Sequence, residues 1–210
     1  MPQATTPPDL IEQLQHKSSP KRRAAAKKLR KLKASEAGPA LLAALKNELQ
    51  DKRTWETQYQ MIMALGESGH IESLDFLLQL ADQDFEATMI YMALGDAIIK
   101  LNNTTSLFSV SATLSIWMDN NQTNLINGGL RALAMLHLIP DDSLIQKLIK
   151  LSSLPNNEAL QFWTTAATPG WPPELTKSFL EQSIKSANLD DTKKAAKAAL
   201  KGKYLNWNPL

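Results

Sequence analysis

Side chains able to carry chemistry are few and far apart in this sequence. His16, His70 and His137 stand more than fifty residues from one another. There is no His-Glu-x-x-His and no histidine pair at i, i+4, so packing explains them better than metal ligation or general-base work. Cysteine is absent, which removes thiol nucleophiles, cysteine-zinc sites and disulfides together. Gly66-Glu67-Ser68-Gly69 lacks the Gly-x-Ser-x-Gly order of a nucleophile elbow, and no glycine-rich phosphate loop occurs. Asp141-Asp142 and Asp190-Asp191 fall where helices should start, where carboxylates cap amides and favour the helix dipole. The expectation is no catalytic centre, no cofactor and no metal: a chain that binds rather than reacts.

One stretch could bind nucleic acid. Lys21-Arg22-Arg23-Ala24-Ala25-Ala26-Lys27-Lys28-Leu29-Arg30-Lys31-Leu32-Lys33, projected as a helix with Ala25, Leu29 and Leu32 toward the core, turns Arg23, Lys27, Arg30 and Lys31 away from it. Such a face can clasp phosphates. No aromatic residues interleave for base stacking, and the following stretch is acidic. Residues 1–33 sum to +7, residues 34–139 to −7 and residues 140–210 to +2. A terminal repeat with a solvated face competes with the nucleic-acid reading.

The elements that must position these residues are helices. The 210 residues, 43% of them hydrophobic, contain only 8 Gly, and apolar positions recur at helical spacing between regular turn signals. Ser19-Pro20, Gly38-Pro39, Asp51 and Gly69 bound the early helices. Asp82-Gln83-Asp84 precedes a helix spanning residues 85–101, and Asn102-Asn103-Thr104-Thr105, Asp119-Asn120-Asn121, Pro140-Asp141-Asp142 and Pro155-Asn156-Asn157 mark later breaks. No apolar run approaches the roughly 18 residues of a membrane span, and the start lacks a basic region followed by an apolar one. We therefore expect a soluble, cytoplasmic protein with no membrane association.

The helices pair, and the pairs repeat. Leu29, Leu65, Leu101 and Leu136 lie 36, 36 and 35 residues apart, and two further steps of 32 reach Thr168 and Leu200. A fixed period of helical hairpins is the signature of a solenoid. Ala64-Leu65-Gly66-Glu67-Ser68-Gly69, preceded by Asp51 and Trp55 and followed by Leu74, Leu77, Leu78 and Leu80, resembles a HEAT repeat of the short bacterial type. Ala93-Leu94-Gly95-Asp96 echoes it. The resemblance covers residues 17–101, with periodicity alone extending it to residue 210. It implies an all-α fold, a right-handed α-α superhelix of about six HEAT-like helical hairpins, and a second-helix Arg that pairs with a turn Asp. Arg22 fits that place, but Gln58 stands there in the next unit, so stacking is expected to rest mainly on apolar burial. The expected organisation is an arm at residues 1–8, one repeat domain at 9–205 and a tail at 206–210.

In such solenoids the second helices line the concave side. Their outward residues by projection are Gln60, Met63 and Glu67, then Met89, Met92 and Asp96 together with Phe85 and Ile99, then Asn127, Arg131 and Met135. Between Ala87 and Met118 the only charges are Asp96 and Lys100, and a helix apolar all round is either buried on both sides or awaiting a partner. Tyr204, Leu205, Trp207 and Leu210 offer one cover from within the chain. Trp55, Trp117 and Trp163 are expected in the core. The function expected is protein binding, as an adaptor, an assembly factor or a stoichiometric inhibitor of the immunity type. The alternative is a nucleic-acid-binding HEAT-like protein, DNA-glycosylase-like, using the basic first repeat.

Overall fold

A computed structural model describes residues 6–205, in which twelve α-helices and three single 3-10 turns account for the regular structure. Trp207 and Leu210 lie outside the described residues. The chain divides into two compact units, one ending at Ser106 and the other beginning at Leu107. The first unit holds α1 (Pro7–Gln13), α2 (Ser19–Leu32), α3 (Gly38–Glu48), α4 (Trp55–Ser68), α5 (Leu74–Ala81) and α6 (Met89–Thr105). The second holds α7 (Leu107–Asp119), α8 (Thr123–Leu136), α9 (Asp142–Ser152), α10 (Glu158–Ala167), α11 (Pro173–Ser186) and α12 (Asp190–Ala199).

Each unit is a stack of three helical hairpins, as in an α-solenoid. In the first, α1 packs on α2, α3 on α4 and α5 on α6, while the second helices α2, α4 and α6 pack on one another in order. In the second unit α7 pairs with α8, α9 with α10 and α11 with α12, and α8, α10 and α12 form the corresponding row. The twelve helices expected from turn signals are thus present, paired as expected. Helix starts follow the sequence chemistry. Ser18 precedes Ser19-Pro20, Gly38-Pro39 opens α3, and Asp141 caps α9 by accepting from the Leu144 N–H at 3.0 Å. Gly69 ends α4 in the left-handed region at φ 70°, a conformation that glycine adopts without penalty.

Several boundaries differ from the sequence expectation. Helix α1 starts at Pro7, inside the expected arm, where Asp9 accepts from the Thr6 N–H at 2.9 Å. Helix α6 starts at Met89 rather than at Phe85 and continues to Thr105, through the expected break. Thr104 and Thr105 return their hydroxyls to the carbonyls of Leu101 and Asn102 at 2.6 and 2.7 Å, so these polar residues stay helical. Leu29, Leu65 and Leu101 are core residues, but Leu32, at the end of α2, and Leu200, just after α12, are exposed.

Helices α4 and α6 approach closely. A Cβ built on Gly66 would lie 2.7 Å from the Ala97 Cα, which only a missing side chain permits. Gly66→Ala should therefore destabilise the protein by about 1–3 kcal/mol, although glycine to alanine inside a helix ordinarily stabilises by about 1 kcal/mol. A lowered urea midpoint is expected; a raised one contradicts the close approach.

Candidate functional site

The projected surface residues are mostly inside the protein. Met63 and Asp96 have no exposed surface, Gln60 is buried, and Ile99 is core. A second helix of a hairpin stack is covered by its hairpin partner and also by the second helices beside it, so its buried arc is wider than a single core face. Of the projected residues of the first unit, Phe85, Met89 and Met92, at and before the start of α6, are left half-buried, and Glu67 keeps partial exposure.

What the first unit brings together instead is a row of polar contacts along α2, α4 and α6. Arg30, projected outward, is buried and donates to the Gln60 side-chain oxygen at 3.0 Å. Lys100 Nζ lies 2.6 Å from Asp96 Oδ2 and 2.6 Å from Glu67 Oε1, while Lys33 Nζ reaches the other Glu67 oxygen at 3.6 Å. Burial grades along this chain, from side chains 0% exposed at Asp96 and 5% at Lys100 to 19% at Glu67 and 70% at Lys33. Solvent screening leaves little in the Lys33 contact; the Lys100–Asp96 contact holds charges that burial would otherwise penalise heavily. Of the projected site residues, Glu67 and Asp96 therefore meet through Lys100.

A second polar joint ties the first two hairpins. Arg22 binds Glu48 through Nε at 2.5 Å and Nη2 at 3.0 Å, and donates to the His16 carbonyl at 2.7 Å. Ser19 adds its hydroxyl to Glu48 at 2.6 Å. Gln58 donates to the carbonyls of Glu48 and Asp51 at 3.2 and 3.0 Å, satisfying acceptors at the end of α3 and in the turn that follows it. Arg22 thus pairs with a helix-terminal Glu rather than a turn Asp, and cross-hairpin polar contacts accompany apolar burial. Burial pushes the Glu48 carboxyl up, but hydrogen bonds from Arg22 and Ser19 outweigh it and hold the group below its ordinary value. Asp51, half-buried, is pulled down to about 2 by hydrogen bonds from Arg53.

The basic face is smaller than projected. Arg30 is inside, Arg23 is half-buried and ion-paired with Glu56, and Lys27 and Lys31 are exposed. In the second unit Asn127 is buried with no hydrogen-bond partner on its side-chain oxygen, Arg131 is buried with its guanidinium carbon 5.8 Å from the Trp163 ring centroid, and Met135 is half-buried. Trp117 and Trp171 are core, the latter donating to the Leu138 carbonyl at 2.9 Å. Tyr204 stacks on His137 at 3.6 Å and its hydroxyl donates to the Pro169 carbonyl, so this part of the tail docks within its own unit. Trp55, expected in the core, is exposed; it opens α4, beyond the last turn of α3.

The histidines lie apart. His16 Nδ1 accepts from the Ser18 N–H at 2.9 Å, His70 packs against Gly38, and His137 stacks as described. Asp190 and Asp191 sit in the first turn of α12 and pair with Lys193 and Lys194. Among the described residues no group of three or more His, Asp or Glu has metal-binding geometry, and no helix is long and apolar enough to cross a membrane. Sequence reasoning missed Lys100 as the centre of the row, although its i, i+4 spacing from Asp96 was a usable signal. Glu48 and Lys33 carried no local signal, since their partners lie 26 and 34 residues away in the chain.

Residues 7–95 match a family model described as HEAT repeats. No curated protein matches the chain.

Two outcomes test this site. Lys100→Met should cost about 3 kcal/mol, because it strips a cation from buried Asp96; a urea midpoint unchanged from wild type contradicts it. Glu48 has a lowered folded value, so its stabilisation is complete above its unfolded value near 4.5 and is lost as pH falls through the folded value. Melting temperature followed from neutral pH into acid should fall less steeply in Glu48→Gln than in wild type; parallel curves contradict the pairing.

Proposed function

We propose that this chain, whose residues 7–95 match a family model of HEAT repeats, acts by binding another protein and performs no chemistry of its own. HEAT repeats are commonly protein-interaction scaffolds. The proposal takes the three hairpins of the second unit as further repeat units of the same kind. The observation that carries it is the start of α6, where Met89 and Met92 stay half-buried on a helix whose residues from Ala93 to Asn102 are all buried. Methionine is unbranched and polarizable, and it adapts to irregular apolar partners. Met135 is offered in the same way by the second unit.

Gln60, Met63, Asp96, Asn127 and Arg131 then support the surface rather than contact the partner, with Glu67 at its margin. Adaptor, assembly factor and stoichiometric inhibitor all fit this description. Arg23 and Arg30 are engaged with Glu56 and Gln60, which leaves Lys27 and Lys31 as a thin basis for phosphate binding.

Recovery of partners from the native host by wild type, Met92→Lys and Met135→Lys tests the proposal. Each substitution sits at a half-buried position, so melting should change by only a few degrees, while at least one variant should lose most of the partner recovered by wild type. Equal recovery by all three overturns the methionine surfaces. Recovery abolished by nuclease treatment instead supports the nucleic-acid reading.

A further inference from the structure

A groove of about 450 Å³ opens on the first unit between the turn joining α3 to α4 and the turn joining α5 to α6. Leu49 and fully buried Ile90 give it apolar lining, and two aromatic rings flank them. Trp55 has 37% of its surface exposed there, and Phe85 is half-buried.

The turn carrying Phe85 is fixed from within. The Tyr91 hydroxyl donates to the Gln83 carbonyl at 2.9 Å and accepts from the Phe85 N–H at 3.0 Å. The Tyr91 and Phe85 rings meet edge to face, with centroids 5.6 Å apart and planes at 82°. The Phe85 side of the lining is therefore organised before a ligand arrives, which reduces the ordering cost of binding.

Charge selects the ligand. Asp84 and Glu86 are exposed at the groove, and among the described residues neither carboxylate is held in an ion pair; Lys52 is the basic residue of the lining. On the α5–α6 side Asp82 adds a third exposed carboxylate in the same turn, while on the α3–α4 side Arg53 is already paired with Asp51. Aromatic faces beside unpaired carboxylates attract a cation, most strongly one that is planar and weakly hydrated. A guanidinium can stack on Trp55 and pair with a carboxylate through two parallel hydrogen bonds, while its methylene stem covers the apolar lining.

We propose that this groove receives an arginine side chain presented by a basic segment of a partner protein. The proposal rests on reading the chain as a protein-binding module but does not use Met89, Met92 or Met135.

The test is an NMR titration of the 15N-labelled full chain at low ionic strength with blocked tetra-arginine, tetra-lysine and tetra-glutamate peptides. Tetra-arginine should shift the Trp55 indole N–H and the Phe85 amide saturably, and more tightly than tetra-lysine; tetra-glutamate should leave both in place. Asp84→Asn/Glu86→Gln changes only exposed side chains and should weaken tetra-arginine binding about fivefold or more, with the rest of the spectrum unchanged. Trp55→Leu stays apolar but removes the ring face, and should weaken it similarly, read at the Phe85 amide. The proposal is overturned if the groove signals do not move, if the charge variant binds as tightly as wild type, or if tetra-lysine binds as well as tetra-arginine. Shifts spread evenly over Glu72, Asp75 and the groove overturn it too, as diffuse attraction. No partner protein enters this titration, so its failure leaves the methionine surfaces standing, and their failure leaves the titration informative.

Discussion

Helix α4 lies against α2, α3 and α6, and the rest of the first unit depends on how it is buried. Eleven of its fourteen residues are buried, including Thr57, Gln58 and Gln60. Apolar packing alone cannot accommodate such a helix, because a buried polar group without a partner costs about 1–3 kcal/mol. The neighbouring helices therefore supply partners: Arg30 for Gln60, Lys100 for Glu67, and the carbonyls at the end of α3 and in the turn that follows it for Gln58. Gly66 completes the fit by letting α6 approach at backbone distance. Shape and polar pairing impose one register between the hairpins, since a shift of one turn would strand both.

That constraint determines which surface is left accessible. Side chains of α4 and the middle of α6 are used in stacking, so accessible apolar surface moves to the start of α6 and to the turns. The same logic holds in the second unit, where Arg131 is buried over Trp163 and Tyr204 closes over His137 and Pro169. A hairpin stack whose second helices share their faces with both neighbours leaves its accessible surface at edges, turns and helix starts. Loops are where binding residues commonly lie when a rigid scaffold positions them.

Much of the fold was legible because it is written locally. Gly69 announces the end of α4, Asp141 the start of α9, and the spacing of Leu29, Leu65 and Leu101 the hairpin period. The candidate surface was less legible. A helical wheel divides a helix into one inner and one outer face, and so it placed Arg30, Met63 and Asp96 outside, where the stack buries them. Trp55 failed in the opposite sense: its position in the first turn, set by where α3 stops, exposes a residue that periodicity assigns to the core. The Arg22–Glu48 joint was hidden because contacts between hairpins depend on how the hairpins stack. Polar asparagines and threonines at residues 102–105 read as a break, yet local side-chain bonds to the preceding turn keep the helix intact.

The central claim is that α4 is locked from all sides and carries the first unit. Native-state hydrogen exchange on the full chain tests this directly, because protection reports the free energy of the opening that exposes each amide. Amides of Ile62, Met63, Ala64 and Leu65 should be among the slowest to exchange in the first unit and should open only with its global unfolding, while those of α1, which packs on α2, exchange faster by local fraying. Exchange of the α4 amides at rates like those of α1 would contradict the claim.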